Sequence, residues 1–166
     1  LQATIDGLEE ALDASERRFE TLVGMSPAGI YMTDAAGRCT YVNQRCCEMA
    51  GLAAVDALGQ PWEQMVHPDD RARVESRWRA AMNSSGVWEH TYRLLSPAGN
   101  TTWVLAQVRR LSGSPDHHAG YVAIIVDITE RKETDRRLRE SERRFSHLLS
   151  AVTSYRYSVR LNDGLP

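Results

Sequence analysis

The sequence is poor in the features that mark several common functions. Three cysteines, Cys39, Cys46 and Cys47, make an odd number, and two are adjacent. That excludes a simple disulfide framework and makes a reducing cytoplasm the default compartment. No apolar run approaches the roughly 20 residues that a membrane-spanning helix needs, and no apolar leader with a cleavage site directs secretion. This stretch is therefore expected to touch no membrane, while an anchor elsewhere in a longer parent protein is left open. A formal charge of −2 offers no electrostatic footprint for nucleic acid. There is no Gly-rich phosphate loop, no HExxH, no paired Cys-x-x-Cys and no nucleophile beside a base and an orienting group. Neither catalysis nor a metal site is expected.

What is present begins with a repeat. Ser15-Glu16-Arg17-Arg18-Phe19 recurs as Ser141-Glu142-Arg143-Arg144-Phe145, a spacing of 126 residues, about one small domain. Each copy ends a charged segment and precedes an apolar one. With 166 residues, 42% of them hydrophobic, the chain can bury one core, so one domain with helical extensions is expected. Leu1, Ile5, Leu8, Leu12, Ser15, Phe19 and Leu22 alternate spacings of four and three, which keeps one side of a helix apolar. Such a seam wants a partner helix, and Leu1, Ile5, Leu8, Leu12, Phe19 and Leu22 are expected to form a homodimer.

The helix should stop at Gly24-Met25-Ser26-Pro27, because proline cannot continue it. Ala28 to Thr33 and Cys39 to Val42 read as a hairpin around Asp34-Ala35-Ala36-Gly37. Gly51, Gly59 and Pro61 then break the chain into short helical pieces. His67-Pro68-Asp69-Asp70 opens the clearest internal helix, with proline in its first turn and two acids favouring its dipole; Ser84-Ser85-Gly86 ends it. Beyond it the period changes to two: Trp88–Leu94, Thr102–Val108 and Tyr121–Val126 read as three strands. They are joined by a tight turn at 96–100 and a polar loop at 112–118. Within 130–144, twelve of fifteen residues are charged, many as opposite pairs four apart, which describes a solvated connecting helix. The organisation is α+β: an amphipathic helix (1–24), a domain (25–129), a linker helix (130–152), and a segment (153–166) in which Tyr155–Arg160 reads as a strand without partners, disordered or extended against a neighbouring chain.

This order of elements resembles the PAS sensory domain family. The residues that carry the resemblance are Asp34-Ala35-Ala36-Gly37, Tyr41-Val42-Asn43, His67-Pro68-Asp69-Asp70-Arg71, Tyr92-Arg93-Leu94 with Gly99, and Val126-Asp127-Ile128-Thr129-Glu130-Arg131-Lys132. Together they span about residues 20–132. The resemblance implies a five-stranded antiparallel sheet with short helices on one face and a pocket between them. It also implies a sensory or relay module of a bacterial sensor histidine kinase or diguanylate cyclase, followed in the same chain by a second PAS domain and an output domain. Residues 153–166 would open that second domain.

Within that frame Asn43, Trp78, Met82, Leu94, Val104, Ala106 and Ile124 are the expected pocket residues, with Asp127, Ile128 and Thr129 relaying a shift into the exit helix. A small-molecule ligand or none is expected. Flavin (FAD) is the cofactor that Trp78 and Trp88 would suit, as an aromatic wall whose edge Asn43 could meet; a purely structural dimerisation spacer is the competing reading. A flavin adduct is not expected, because Gly59–Met65 lacks the cysteine that adduct-forming relatives carry there. Cys46 and Cys47 read as buried structural thiols. Haem would need an inward histidine. His67 starts a helix, His117 and His118 sit in a polar loop, and His90 shares a strand face with Tyr92 and Leu94, where a polar rim residue is the alternative.

Overall fold

A computed structural model describes the backbone of residues 2–83, 87–111 and 120–162, and their side chains except those of 2, 3, 6, 82 and 151–162. The expectations for Leu1, the side chain of Met82, the Ser84-Ser85-Gly86 helix end and the loop with His117 and His118 lie outside the described residues. The chain divides into two units, Leu1–Ile128 and Thr129–Pro166.

In the first unit, α1 (Gln2–Gly24) leads into β1 (Gly29–Asp34) and β2 (Cys39–Val42). The Asp34 carboxylate closes their turn by accepting the amides of Ala36 and Arg38, each at 2.9 Å. Short pieces follow: α2 (Gln44–Ala50), α3 (Ala54–Ala57) and a 3₁₀ turn (Trp62–Met65). α4 (Pro68–Met82) starts with Pro68 in its first turn and His67 as its cap, the ring Nδ1 accepting the Asp69 amide at 3.3 Å. β3 (Val87–Leu95), β4 (Thr101–Leu111) and β5 (Gly120–Asp127) complete a five-stranded antiparallel sheet in the order β2-β1-β5-β4-β3. Every expected strand of the domain is present, within a residue or two except at the far end of β4.

The sheet has one packed face. Tyr31, Trp88, Tyr92, Leu94, Val104, Ala106, Val108, Ala123 and Ile125 point into it and meet Cys46, Met49, Trp62, Val66 and Val74 from the helical side. Each large side chain so buried contributes about 1.5–3 kcal/mol. Close approach is built in at Gly29, where an added Cβ would lie 2.6 Å from Ile125 and 3.0 Å from the Cys46 backbone.

Two expectations are corrected here. Ile124, expected in the pocket, lies on the opposite sheet face and is 44% exposed, while Ala123 and Ile125 are buried. Residues 122–126 are apolar without alternation, so sequence carries no phase, and a one-residue slip exchanges the faces. The second concerns Tyr155–Arg160, which is helical rather than extended: α5 runs from Thr129 to Asn162. A strand needs neighbours for its backbone groups, whereas a helix satisfies its own.

Candidate functional site

Asn43 organises the junction of α1, β1 and α2. Its Oδ1 accepts the amides of Ile30 (2.8 Å) and Cys46 (3.0 Å), capping α2, while Nδ2 donates to the carbonyls of Ala28 (3.1 Å) and Val23 (3.2 Å). All four bonds are internal and the residue is buried. It is therefore committed to the backbone instead of presenting an edge to a ligand.

Leu94, Val104 and Ala106 do converge on the inner face, as expected, and all three are fully packed. Tyr31 and Tyr92 are buried in the same cluster, their hydroxyls hydrogen-bond each other, and their pKa values are raised chiefly by burial. Trp78 stacks with Trp62 (5.8 Å) and Tyr121 (5.2 Å), whereas Trp88 contacts His90 and Tyr92 (5.7 and 5.9 Å). The two tryptophans thus have different ring partners, Trp88 inside the core cluster and Trp78 packed against it. Beside this core, Thr33 Oγ1 is buried and makes no hydrogen bond within the described residues.

His90 is on the inner side of β3, but its Nε2 contacts the Arg73 guanidinium on α4. Partial burial and then the charges of Arg73 and Arg77 lower its pKa. A ring engaged in this way does not fit an axial haem ligand. Next to it sits a network that sequence reading missed. Asp70, read as a helix-dipole acid, reaches across to β3 and accepts from the Arg93 amide (3.0 Å), Nε (3.0 Å) and Nη2 (2.9 Å). Arg73 adds an ion pair at 3.2 Å. The Arg93 hydrogen bonds hold the Asp70 carboxyl well below the usual carboxylate range. The signal that could have found it was Arg93 alternating outward between buried Tyr92 and Leu94 while an acid stood in the first turn of the preceding helix.

The cysteines are inert by environment. Burial pushes the Cys46 thiol up to about 12 and also raises Cys39 and Cys47, so thiolate is scarce at neutral pH. Among the described residues, no group of histidine, cysteine and carboxylate side chains is placed to hold a metal ion. A cavity of about 440 Å³ lies outside the core, bounded by α3, the 3₁₀ turn and the end of β3. Leu52, Ala57, Met65 and Leu95 make its apolar surface. Gly51, with φ of +66°, ends α2 here, and an added Cβ would lie 2.6 Å from that of Ser96. None of the expected pocket residues is in its wall.

Comparison with known proteins now decides the family, because the model of the PAS fold matches residues 23–133. The chain belongs to the PAS family. Its PAS domain is similar to part of the protein y4lL of Sinorhizobium fredii, 31% identical over 139 residues, covering 84% of this chain and 17% of that protein. It is 28% identical to the sensor histidine kinase TmoS of Ectopseudomonas mendocina, covering 86% and 15%. Among solved structures it resembles a sensory box histidine kinase/response regulator from Burkholderia thailandensis at 25% identity and a TM-score of 0.60, covering 78% of this chain and 98% of that one. The chain spans about a sixth of the length of these curated relatives. It is a PAS module of the kind that sensory signal-transduction proteins carry, a sensory fold that is not itself catalytic.

At the exit of the PAS domain, Asp127 ends β5 and stands 4.0 Å from Arg45 of α2. The Ile128 amide donates to the Trp103 carbonyl at 2.8 Å, and Thr129 begins α5. At the other end, Ile5, Leu8, Leu12 and Leu22 of α1 are 42–72% exposed, while Phe19 stacks on Tyr41 at 5.5 Å and Val23 is buried. No helix among the described residues is long and apolar enough to cross a membrane.

Proposed function

We propose that this PAS domain is an input and relay module of a multidomain bacterial sensor of the histidine kinase or diguanylate cyclase type, working as a homodimer. A change of state in the sheet is passed through Asp127, Ile128 and Thr129 into α5, and from there to a following PAS domain and an output domain. The observation that carries the reading is the exit: the last sheet-bound backbone group, the Ile128 amide on Trp103, is followed immediately by the first residue of the linker helix. A displacement of β4 relative to β5 has no slack in which to dissipate. The sensor kinases and the two-component sensor among the relatives support the setting. The uncovered seam of α1 supports the dimer, since each leucine withdrawn from water there contributes about 1.5–3 kcal/mol. The burial of Asn43, Leu94, Val104 and Ala106 favours a second reading, a ligand-free dimerisation spacer in the cytoplasmic part of the same parent protein.

One experiment with two arms separates them. In the parent protein, Asp127→Ala and Thr129→Ala should alter signal output while leaving the isolated domain folded, and Leu8→Glu with Leu12→Glu should convert the isolated chain from dimer to monomer in sedimentation. Unchanged output in both exit variants sinks the relay and leaves the spacer; a wild-type monomer sinks the dimer.

A further inference from the structure

We propose that the cavity between α3, the 3₁₀ turn and the end of β3 is a binding site for a small organic cation with an apolar body, an aryl- or alkylammonium. Its volume, about 440 Å³, falls within the ~300–1,000 Å³ of small-molecule clefts. The surface formed by Leu52, Ala57, Met65 and Leu95 favours an apolar body. The polar side chains around it select the head group. Asp56 is the one charged residue in the wall, accompanied by the amides of Gln60 and Gln64. Among the described residues, none of these three side chains makes a hydrogen bond or ion pair within the chain. Ser96 differs, because its Oγ already accepts the Asn100 amide at 3.0 Å.

An unpaired carboxylate beside apolar surface attracts a cation more strongly than it would in open water and repels an anion. Two arginines outside the wall keep their positive charge and reduce this preference without entering the lining. Arg71 donates to the carbonyls of Val66 (2.9 Å) and Gln64 (3.2 Å), Arg38 donates to the Gly59 carbonyl at 3.3 Å, and neither is in the wall. The segment forming one side of the cavity is tied to the β1–β2 hairpin by hydrogen bonds at Gly59, Gln60 and Trp62 and by the Arg38–Pro61 bridge, and to β3 by the Val66–Leu94 bridge. A ligand filling the space would brace that segment against the β3–β4 hairpin. The proposal is independent of the relay, since binding is read on the isolated chain.

The test is a heteronuclear NMR titration of the whole chain at neutral pH with benzylammonium, benzyl alcohol and benzoate. Benzylammonium should give saturable shifts at residues 52–65 and 95–97 and bind about two- to fivefold more tightly than benzyl alcohol, the range of a solvent-exposed ion pair, with benzoate weakest. Asp56→Asn, at an exposed position, should erase the gap between amine and alcohol, and Gln64→Glu should widen it. Absence of saturable shifts there, benzoate binding as well as the amine, or a gap that neither variant moves would overturn the assignment.

Discussion

From Val87 to Asp127 the chain is held by ladders. β3 pairs with β4 from Val87–Arg109 to Leu95–Thr101 without interruption, and β4 pairs with β5 from Val104–Asp127 to Leu111–Gly120. From Asn43 to Val66 it is held by scattered fastenings: the Asn43 cap, backbone hydrogen bonds of Gly59, Gln60 and Trp62 to the β1–β2 hairpin, two isolated bridges, and the buried side chains of Cys46, Met49, Trp62 and Val66. In the meander the loss of one contact is shared by many neighbours in register, whereas in the helical connection each fastening acts alone. The cavity lies along the second kind of structure, and local opening at low free energy is expected where few contacts must break.

The contrast can be broken most severely where the start of α4, just beyond the helical connection, is tied to β3. Asp70→Asn should destabilise the domain by about 2–3 kcal/mol, because it leaves the partly buried Arg93 cation without its counter-charge and loses the ion pair with the exposed Arg73. The effect depends on pH in a defined sense. A carboxyl whose folded pKa is depressed contributes stability that is complete above its unfolded value, about 3.9, and is lost as pH falls toward the folded value. Urea unfolding should show the full gap between wild type and variant at pH 7 and a smaller one at pH 3; a constant gap would refute the ion-pair origin.

Asn43→Asp sharpens the comparison from the other side. It keeps the acceptor for Ile30 and Cys46 but replaces the donor facing Val23 and Ala28, at about 1–3 kcal/mol for the carbonyls left unpaired. Hydrogen exchange should accelerate in the last turn of α1 and at residues 28–30 well before the β3–β4 ladder responds. Uniform acceleration across the sheet would show that the region of scattered fastenings is no separate unit. The smallest effect has the opposite sign. Thr33→Val removes a buried hydroxyl that has no partner among the described residues and should raise stability by up to about 1 kcal/mol, measurable as a higher urea midpoint with unchanged slope; destabilisation would mean that the hydroxyl is satisfied.

Legibility in the sequence followed the strength of local signals. Pro68 with its two acids marked the start of α4, and the alternation of Trp88, Tyr92 and Leu94 marked the inner side of β3. Ile124 was misplaced because five consecutive apolar residues contain no period. Asn43 was recognised as important but for the wrong contact: a carboxamide in sequence announces four hydrogen bonds without naming the partners. Asp70 hid behind a sufficient local reason for an acid in a first helical turn. Asp56, Gln60 and Gln64 gave no sign at all, since polar residues in a broken segment look alike until the chain folds around a hollow.

The repeated Ser-Glu-Arg-Arg-Phe shows where the division falls. By itself the sequence determined that a charged helix precedes an apolar segment twice, that a broken helical stretch separates a hairpin from a three-stranded meander, and that a charged helix follows them. Those are consequences of periodicity, turn chemistry and capping, which act between residues a few positions apart. Tertiary structure decided that Phe19 packs on Tyr41 while Phe145 is 63% exposed, that two tyrosines are buried together in the core, and that an open cavity lies outside it. Those outcomes depend on which side chains compete for the same volume, a quantity that exists only once distant parts of the chain have met.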